Sequence, residues 1–327
     1  MQNFLDPAIL FFVFGVLAGF ARSNLEVPQP ISRFLSLYLL MALGLKGGFA
    51  LNKSGLTPEV AISLGTAILL AVIIPLIGYK LLRRVVGGFD AAAVAATYGS
   101  VSAVTFITAT QYLESHQLPF GAHMAAAMAL MESPAIIMAV VFANMLRREK
   151  AAAGGATTAG GDGHTPLGKI LHESFTDGAQ LLLLGAMAVG MITGEAGKTV
   201  MAPFSVDLFK GMLSFFLLDM GLMAARNIGE LRGKSPMLVG YGVIGPLVHA
   251  GLALGLCVLF GIGPGEGSLL MVLAASASYI AVPAVLRFAI PEANPSLYFG
   301  LSLGLTFPLN ILFGIPLYVA VAHTVLG

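Results

Sequence analysis

Two short stretches, YGSVSAV at residues 98–104 and AASASYIAV at 274–282, carry glycine and hydroxylated side chains through the middle of otherwise apolar segments. Neither favours a continuous helix, because glycine and serine are weak helix formers and a serine hydroxyl competes for backbone groups. Pro283, just after the second stretch, has no amide hydrogen, which leaves the carbonyl of Tyr279 without its usual partner. In a bilayer a freed backbone group must be satisfied inside the protein, so each stretch predicts an interrupted helix. Where two such helices run in opposite directions, the half-helices after the breaks aim their amino ends at one point near the midplane. Those ends present free amides and a partial positive charge. Together they make an anion site without Arg or Lys, and the hydroxyls of Ser100, Ser102, Ser276 and Ser278 add donors around it.

The composition supplies the frame for these breaks. Hydrophobic residues make up 57% of the 327 and charged residues 10%, against about 25% in a soluble domain; mean hydropathy is +0.90. A span takes about 20 apolar residues, so the length holds roughly ten. Apolar windows place them at 7–22, 31–52, 58–82, 88–112, 120–147, 170–194, 206–229, 236–262, 266–289 and 295–326. The N-terminal MQNFLDPAILFF lacks the basic n-region and small-residue cleavage site of a signal peptide and reads as the first span. AAAGGATTAGGDGHTP, 151–166, has no bulky residues and no period and reads as a flexible linker. It separates a first five-helix unit, 1–150, from a second, 167–327.

The two units match each other in order. SLYLLMALG (36–44) resembles SFFLLDMG (214–221), the two broken stretches resemble each other, and ESPAII (132–137) resembles TFPLNI (306–311), at offsets of 174 to 177 residues. An odd number of helices per unit turns the second upside down. The predicted fold is therefore an all-α membrane protein of ten transmembrane helices in a 5+5 inverted repeat, an arrangement found in transporters. Thirteen of the 17 Lys and Arg fall on the face of connections 1–2, 3–4, 5–6, 7–8 and 9–10. The positive-inside rule puts that face, with the 151–166 linker, in the cytoplasm and both termini outside.

Helices 5 and 10 sit beside the breaks. In MESPAII and LTFPLNI a proline frees a carbonyl, and Glu132, Ser133, Thr306 and Asn310 add oxygens near it. Oxygen ligands suit sodium, and a carboxylate within a span costs at least ~2.5 kcal/mol unless paired or functional. Lys46 and Asp219 also fall at membrane depth, and a buried structural ion pair between them is the simplest account; Lys46 as a tethered cation near the substrate is the alternative. Gly185 and Gly190 read as helix-packing residues, and His249 as a hydrogen-bonded residue between helices. The net charge of +1 offers no basic arm for nucleic acid, and a single cysteine, Cys257, excludes an internal disulfide or cysteine-held metal cluster. No nucleophile–base or metal motif is present. The reading is not an enzyme, and no cofactor is expected beyond a coupling ion.

With these features together, the chain resembles the sodium-dependent bicarbonate transporter family first known from cyanobacteria. The resemblance covers nearly the whole chain and is carried by GLKGGFAL (44–51), YGSVSAVTF (98–106), MESPAII (131–137), MGLMAARNIGELR (220–232) and SASYIAVPAVLRFAIPEANPSLYFG (276–300). It implies sodium-coupled bicarbonate symport across the inner membrane, core and gate domains, and a homotrimer. It also implies a small trimeric nitrogen-regulator-like protein on the cytoplasmic face, although the linker here is short. Substrate would sit at Gly99, Ser100, Val101, Ser102, Ala103, Ser276, Ser278 and Tyr279, with sodium at Glu132, Ser133, Thr306, Asn310 and Thr105. Glu132 stands where well-known members have Asp, Tyr279 where they have an acid, and Lys46 where they have Thr. A sodium- or proton-coupled carrier of a small organic carboxylate is the second reading, and a passive anion channel is the rival from another class.

Overall fold

The computed structural model describes residues 6–55, 57–153, 178–231 and 233–327. It is 84% helical, with no strand among those residues. Helix α1, Pro7–Phe20, starts on Asp6, whose carboxylate accepts the Ala8 amide at 2.8 Å. Then come α2 Gln29–Ser54, α3 Pro58–Leu82, α4 Gly88–Gly99, α5 Ala103–Ser115 and α6 Met124–Ala153. After them follow α7 Gly178–Ala202, α8 Phe209–Asn227, α9 Pro236–Phe260, α10 Pro264–Ala275 and α11 Ala281–Ala289. A last helical rod, α12, runs over Pro295–Val325. Within α12, wide π turns at Gly300–Thr306 and Asn310–Gly314 flank Pro308, where the missing amide forces the hydrogen-bond ladder to step over a residue.

Seven helical stretches among the described residues are long and apolar enough to cross a membrane. The expected ten windows become seven for two reasons. α1 and the half-helix α10 are only 14 and 12 residues long, and windows six and seven join in one stretch, Leu181–Leu231, of 51 residues. At 1.5 Å per residue that stretch would measure ~77 Å, more than twice the ~30 Å of a hydrocarbon core. It is broken instead, at Gly194 (φ 56°, ψ −141°) and at the π turn Pro203–Asp207. The break at Gly194 falls where helix six is expected to end, and a further helical piece continues to Ala202. α6 continues to Ala153, so the first three residues of the expected 151–166 linker are helical; 154–166 lies outside the described residues.

Two helix pairs pack most closely, α1 with α8 and α2 with α7. Small residues allow it: a Cβ on Gly221 would lie 2.2 Å from the Phe12 carbonyl, and one on Gly48 2.1 Å from that of Met187. Gly190 has the packing role expected of it, since a Cβ there would lie 2.6 Å from the Leu45 carbonyl, whereas Gly185 faces open space. Separately, α3 packs on α4 and α6, and α9 on α10, while α10 also packs on the end of α12.

Candidate functional site

Both expected interruptions are present, at Ser100–Ser102 between α4 and α5 and at Ser276–Ile280 between α10 and α11. α10 packs against α5 and α11 against α4, so the two broken helices cross at their breaks. The frayed backbone groups pair across the crossing. The Ser102 amide donates to Ser276 Oγ at 3.0 Å, and the Ser278 amide donates to the Thr97 carbonyl, one of the last of α4, at 2.8 Å.

The serines divide the labour in matched fashion. Ser102 caps α5, its Oγ accepting the Thr105 amide (3.2 Å) and the Thr105 hydroxyl (2.9 Å). Ser278, 176 residues on, does the same for α11 by accepting the Val282 amide at 3.3 Å. Pro283 sits in the first turn of α11, where no amide is required; it starts this half-helix and does not kink a longer one. Ser276 Oγ donates to the Leu273 carbonyl at 2.8 Å, so its hydrogen is committed. Of the four expected donors, Ser100 has no partner among the described residues.

All of this is closed to solvent: Ser100 is 0% exposed, Ser276 1% and Tyr279 6%. Ser100 Oγ is buried with no hydrogen-bond partner among the described residues, and the buried Tyr279 hydroxyl has Ser102 as its polar neighbour. Native interiors rarely leave such groups unsatisfied without a role or a bound species. The amino ends of α5 and α11 lie beside them and leave first-turn amides without an intrahelical acceptor. Val101 is buried, Ala103 is half-buried, and Gly99 has a packing role, since a Cβ there would lie 2.2 Å from Pro75 Cγ.

Of the expected cation oxygens, those of Thr306 and Asn310 make hydrogen bonds within the protein. Thr306 donates to the Gly242 carbonyl at 2.8 Å, the carbonyl that Pro246 leaves free four residues later, and meets the Tyr98 hydroxyl at 2.6 Å. Asn310 donates to the Ala275 carbonyl (2.8 Å), closing the end of α10, and accepts from Tyr318 (3.1 Å). Glu132, half-buried, and Ser133, buried, lie on α6, which packs on α3, α4 and α11. Among the described residues, no three His, Cys, Asp or Glu cluster as a metal site.

The expected Lys46–Asp219 pair is not formed. Lys46 Nζ lies 3.1 Å from both carboxylate oxygens of Glu114, at the end of α5, and 4.4 Å from the centre of the Phe209 ring. Phe209 opens α8, and Asp219 lies ten residues further along it, ~15 Å at 1.5 Å per residue, beyond a lysine's reach. Asp219 is buried beside Ser32 instead. A cavity of about 340 Å³ opens between the starts of α1 and α8, the end of α5 and α12, lined by Asp6, Lys210, Thr108, Gln111, His116 and Ile311 among others. Asp6 and Lys210 pair there at 2.9 Å. Sequence reasoning missed Tyr98, Tyr241 and Glu114; the only signal was Pro246, which marks Gly242 as a carbonyl in need of a donor.

An all-helical multi-pass chain with a polar crossing sealed in its interior is built to handle a solute within the membrane rather than at its surface. A family model, the Na+-dependent bicarbonate transporter superfamily, matches residues 7–323, and the chain belongs to that superfamily. It is a transporter and not an enzyme. A search of curated proteins finds no match.

Proposed function

We propose that the chain is a secondary active transporter that imports bicarbonate together with sodium by alternating access. Bicarbonate would lie at the crossing, held by the amino ends of α5 and α11 and by the hydroxyls of Ser100, Ser102 and Ser278. The observation that carries this reading is the buried Ser100 hydroxyl, which has no partner among the described residues and lies beside two helix amino ends. Sodium would sit nearby on the α6 side, at Glu132, Ser133 and the Leu130 carbonyl that Pro134 leaves free, with Thr105 on the crossing itself. Thr306 and Asn310 would hold the crossing together.

The ten-span 5+5 inverted repeat belongs to this reading. It is supported by the equal capping roles of Ser102 and Ser278, and by Gly44 and Gly221, which occupy matching positions and pack α2 on α7 and α8 on α1. The glycine-locked helices α1, α2, α7 and α8 would form the gate, and α3–α6 with α9–α12 the moving core. The molecule would work in the inner membrane as a homotrimer, with both termini outside and the 151–166 linker in the cytoplasm. A small organic carboxylate is the second substrate reading. It is favoured by Tyr279, whose ring packs 5.3 Å from that of Phe307 and walls the crossing with apolar surface.

Ser100→Ala and Tyr279→Phe test the site. Ser100→Ala removes a hydroxyl with no partner among the described residues, and Tyr279→Phe one whose polar neighbour is Ser102; each loss costs folding little, so both variants should keep their thermal midpoint. Uptake of labelled bicarbonate is expected to fall at least about tenfold in Ser100→Ala, as for a lost anion contact of ~1.4 kcal/mol or more. Parental uptake in both variants would place the anion elsewhere.

A further inference from the structure

Behind the crossing, α9 carries Tyr241 and His249 on one face, with ring centroids 6.0 Å apart and the Tyr98 ring 5.0 and 6.3 Å from them. One ring nitrogen of His249 donates to the Ala274 carbonyl, two residues before Ser276. This is the bond between helices that the sequence suggests. The other nitrogen, Nδ1, is buried without a partner among the described residues, and so is the Tyr241 hydroxyl. The remaining polar groups of the cluster are satisfied, Tyr98 by Thr306 and Thr306 by Gly242. A basic nitrogen inside the membrane, fixed by its other nitrogen and lacking a donor, is a place for a proton.

The surroundings decide when that proton can be held. α3, α10 and α12 pack against α9, and Tyr98 of α4 reaches it. Facing His249 are the phenols of Tyr98 and Tyr241 and no carboxylate among the described residues. Tyr79 of α3 stacks on Phe142, Tyr318 of α12 bonds Asn310, and Glu266, at the far start of α10, bonds the Gly121 amide. An imidazolium without a countercharge at this depth is expensive. An anion at the crossing, beside Ser276 and Ser100, would supply the countercharge.

We propose that His249 is a proton site thermodynamically linked to the anion at the crossing: each favours the other, so the anion travels with a proton on His249. This rests on the proposed position of the anion. Linkage is reciprocal, so anion affinity rises as pH falls through the range in which His249 takes up its proton.

The test is the half-saturating concentration for labelled uptake into proteoliposomes of the full chain, expressed as bicarbonate ion, at several pH values between about 5 and 8.5, below and above the ordinary histidine value. Carbon dioxide entry into protein-free vesicles is subtracted. In the parent the half-saturating concentration is expected to rise with pH, toward about tenfold per unit for one linked proton. In His249→Gln, whose amide can still donate to Ala274 but cannot charge, it is expected to be flat. A flat parent overturns the proposal, and so does a variant with the parental slope; in both cases a bridging water is the cluster's only occupant. The parent curve decides even where the variant fails to fold. Absence of saturable uptake at every pH overturns the function reading itself, and the proton site with it.

Discussion

Ser100 and Ser276 occupy matching places in two matching motifs, yet they do different work. Ser276 Oγ both accepts the Ser102 amide and donates to Leu273, while Ser100 Oγ has no partner among the described residues. That both motifs matter is legible in the sequence, because S-x-S patterns paired at one offset inside apolar windows rarely arise by chance. Which hydroxyl is left for a ligand is not legible, since it depends on how the breaks cross. The charges show the same limit. Lys46 can be read as needing a partner, but Glu114 becomes that partner only through the packing of α2 near the end of α5. His123, just before α6, offers a pH test of the loop that docks on α10. Burial pushes its pKa below the ordinary histidine value, with the nearby Glu266 carboxylate pulling partly the other way. The unfolded chain therefore binds this proton more readily than the folded one, so the stability His123 contributes is full above about pH 6.5 and fades as pH falls below it. The thermal midpoint in detergent is expected to drop between about pH 7 and pH 5, and His123→Gln is expected to flatten that drop. A parental slope in the variant would assign the dependence to other groups.

At the level of elements, periodicity and proline positions locate most helices within a few residues, because apolar length and chain breakers act locally. They do not show that windows six and seven join through a π turn, nor that α12 widens on either side of Pro308. Those features arise where a helix must pass a missing amide, at Pro203 and at Pro308. Helix contact is likewise decided in three dimensions, as Gly221 and Gly185 make plain. Gly221→Val would drive side-chain atoms into the Phe12 carbonyl, which is backbone and cannot yield locally; the expected loss is about 1–3 kcal/mol, as for overpacking of a close interface. Gly185→Ala meets nothing within 4 Å and is expected to be neutral or stabilising by up to about 1 kcal/mol, from the helix preference for alanine. Thermal unfolding of the two variants in the same detergent compares them directly. Equal effects would mean that α1 and α8 do not depend on close approach at Gly221.

For the whole molecule, two glycine-locked helix pairs stand beside a body that contains the crossing, and the Lys46–Glu114 pair and the cavity lined by Asp6 and Lys210 lie where the two parts meet. That division suits a core carrying its anion past a fixed gate. The internal repeat proposed to produce it is visible in the sequence as three ordered motifs, whereas the contact surface between core and gate is not, because no local pattern encodes it. The measurement that bears most directly on the account is uptake of labelled bicarbonate into proteoliposomes of the purified chain, with pH clamped and passive carbon dioxide entry subtracted, with and without an inward sodium gradient. Sodium-driven accumulation above the equilibrium level is the expected result. Uptake that is indifferent to sodium in correctly folded protein would contradict sodium-coupled bicarbonate import.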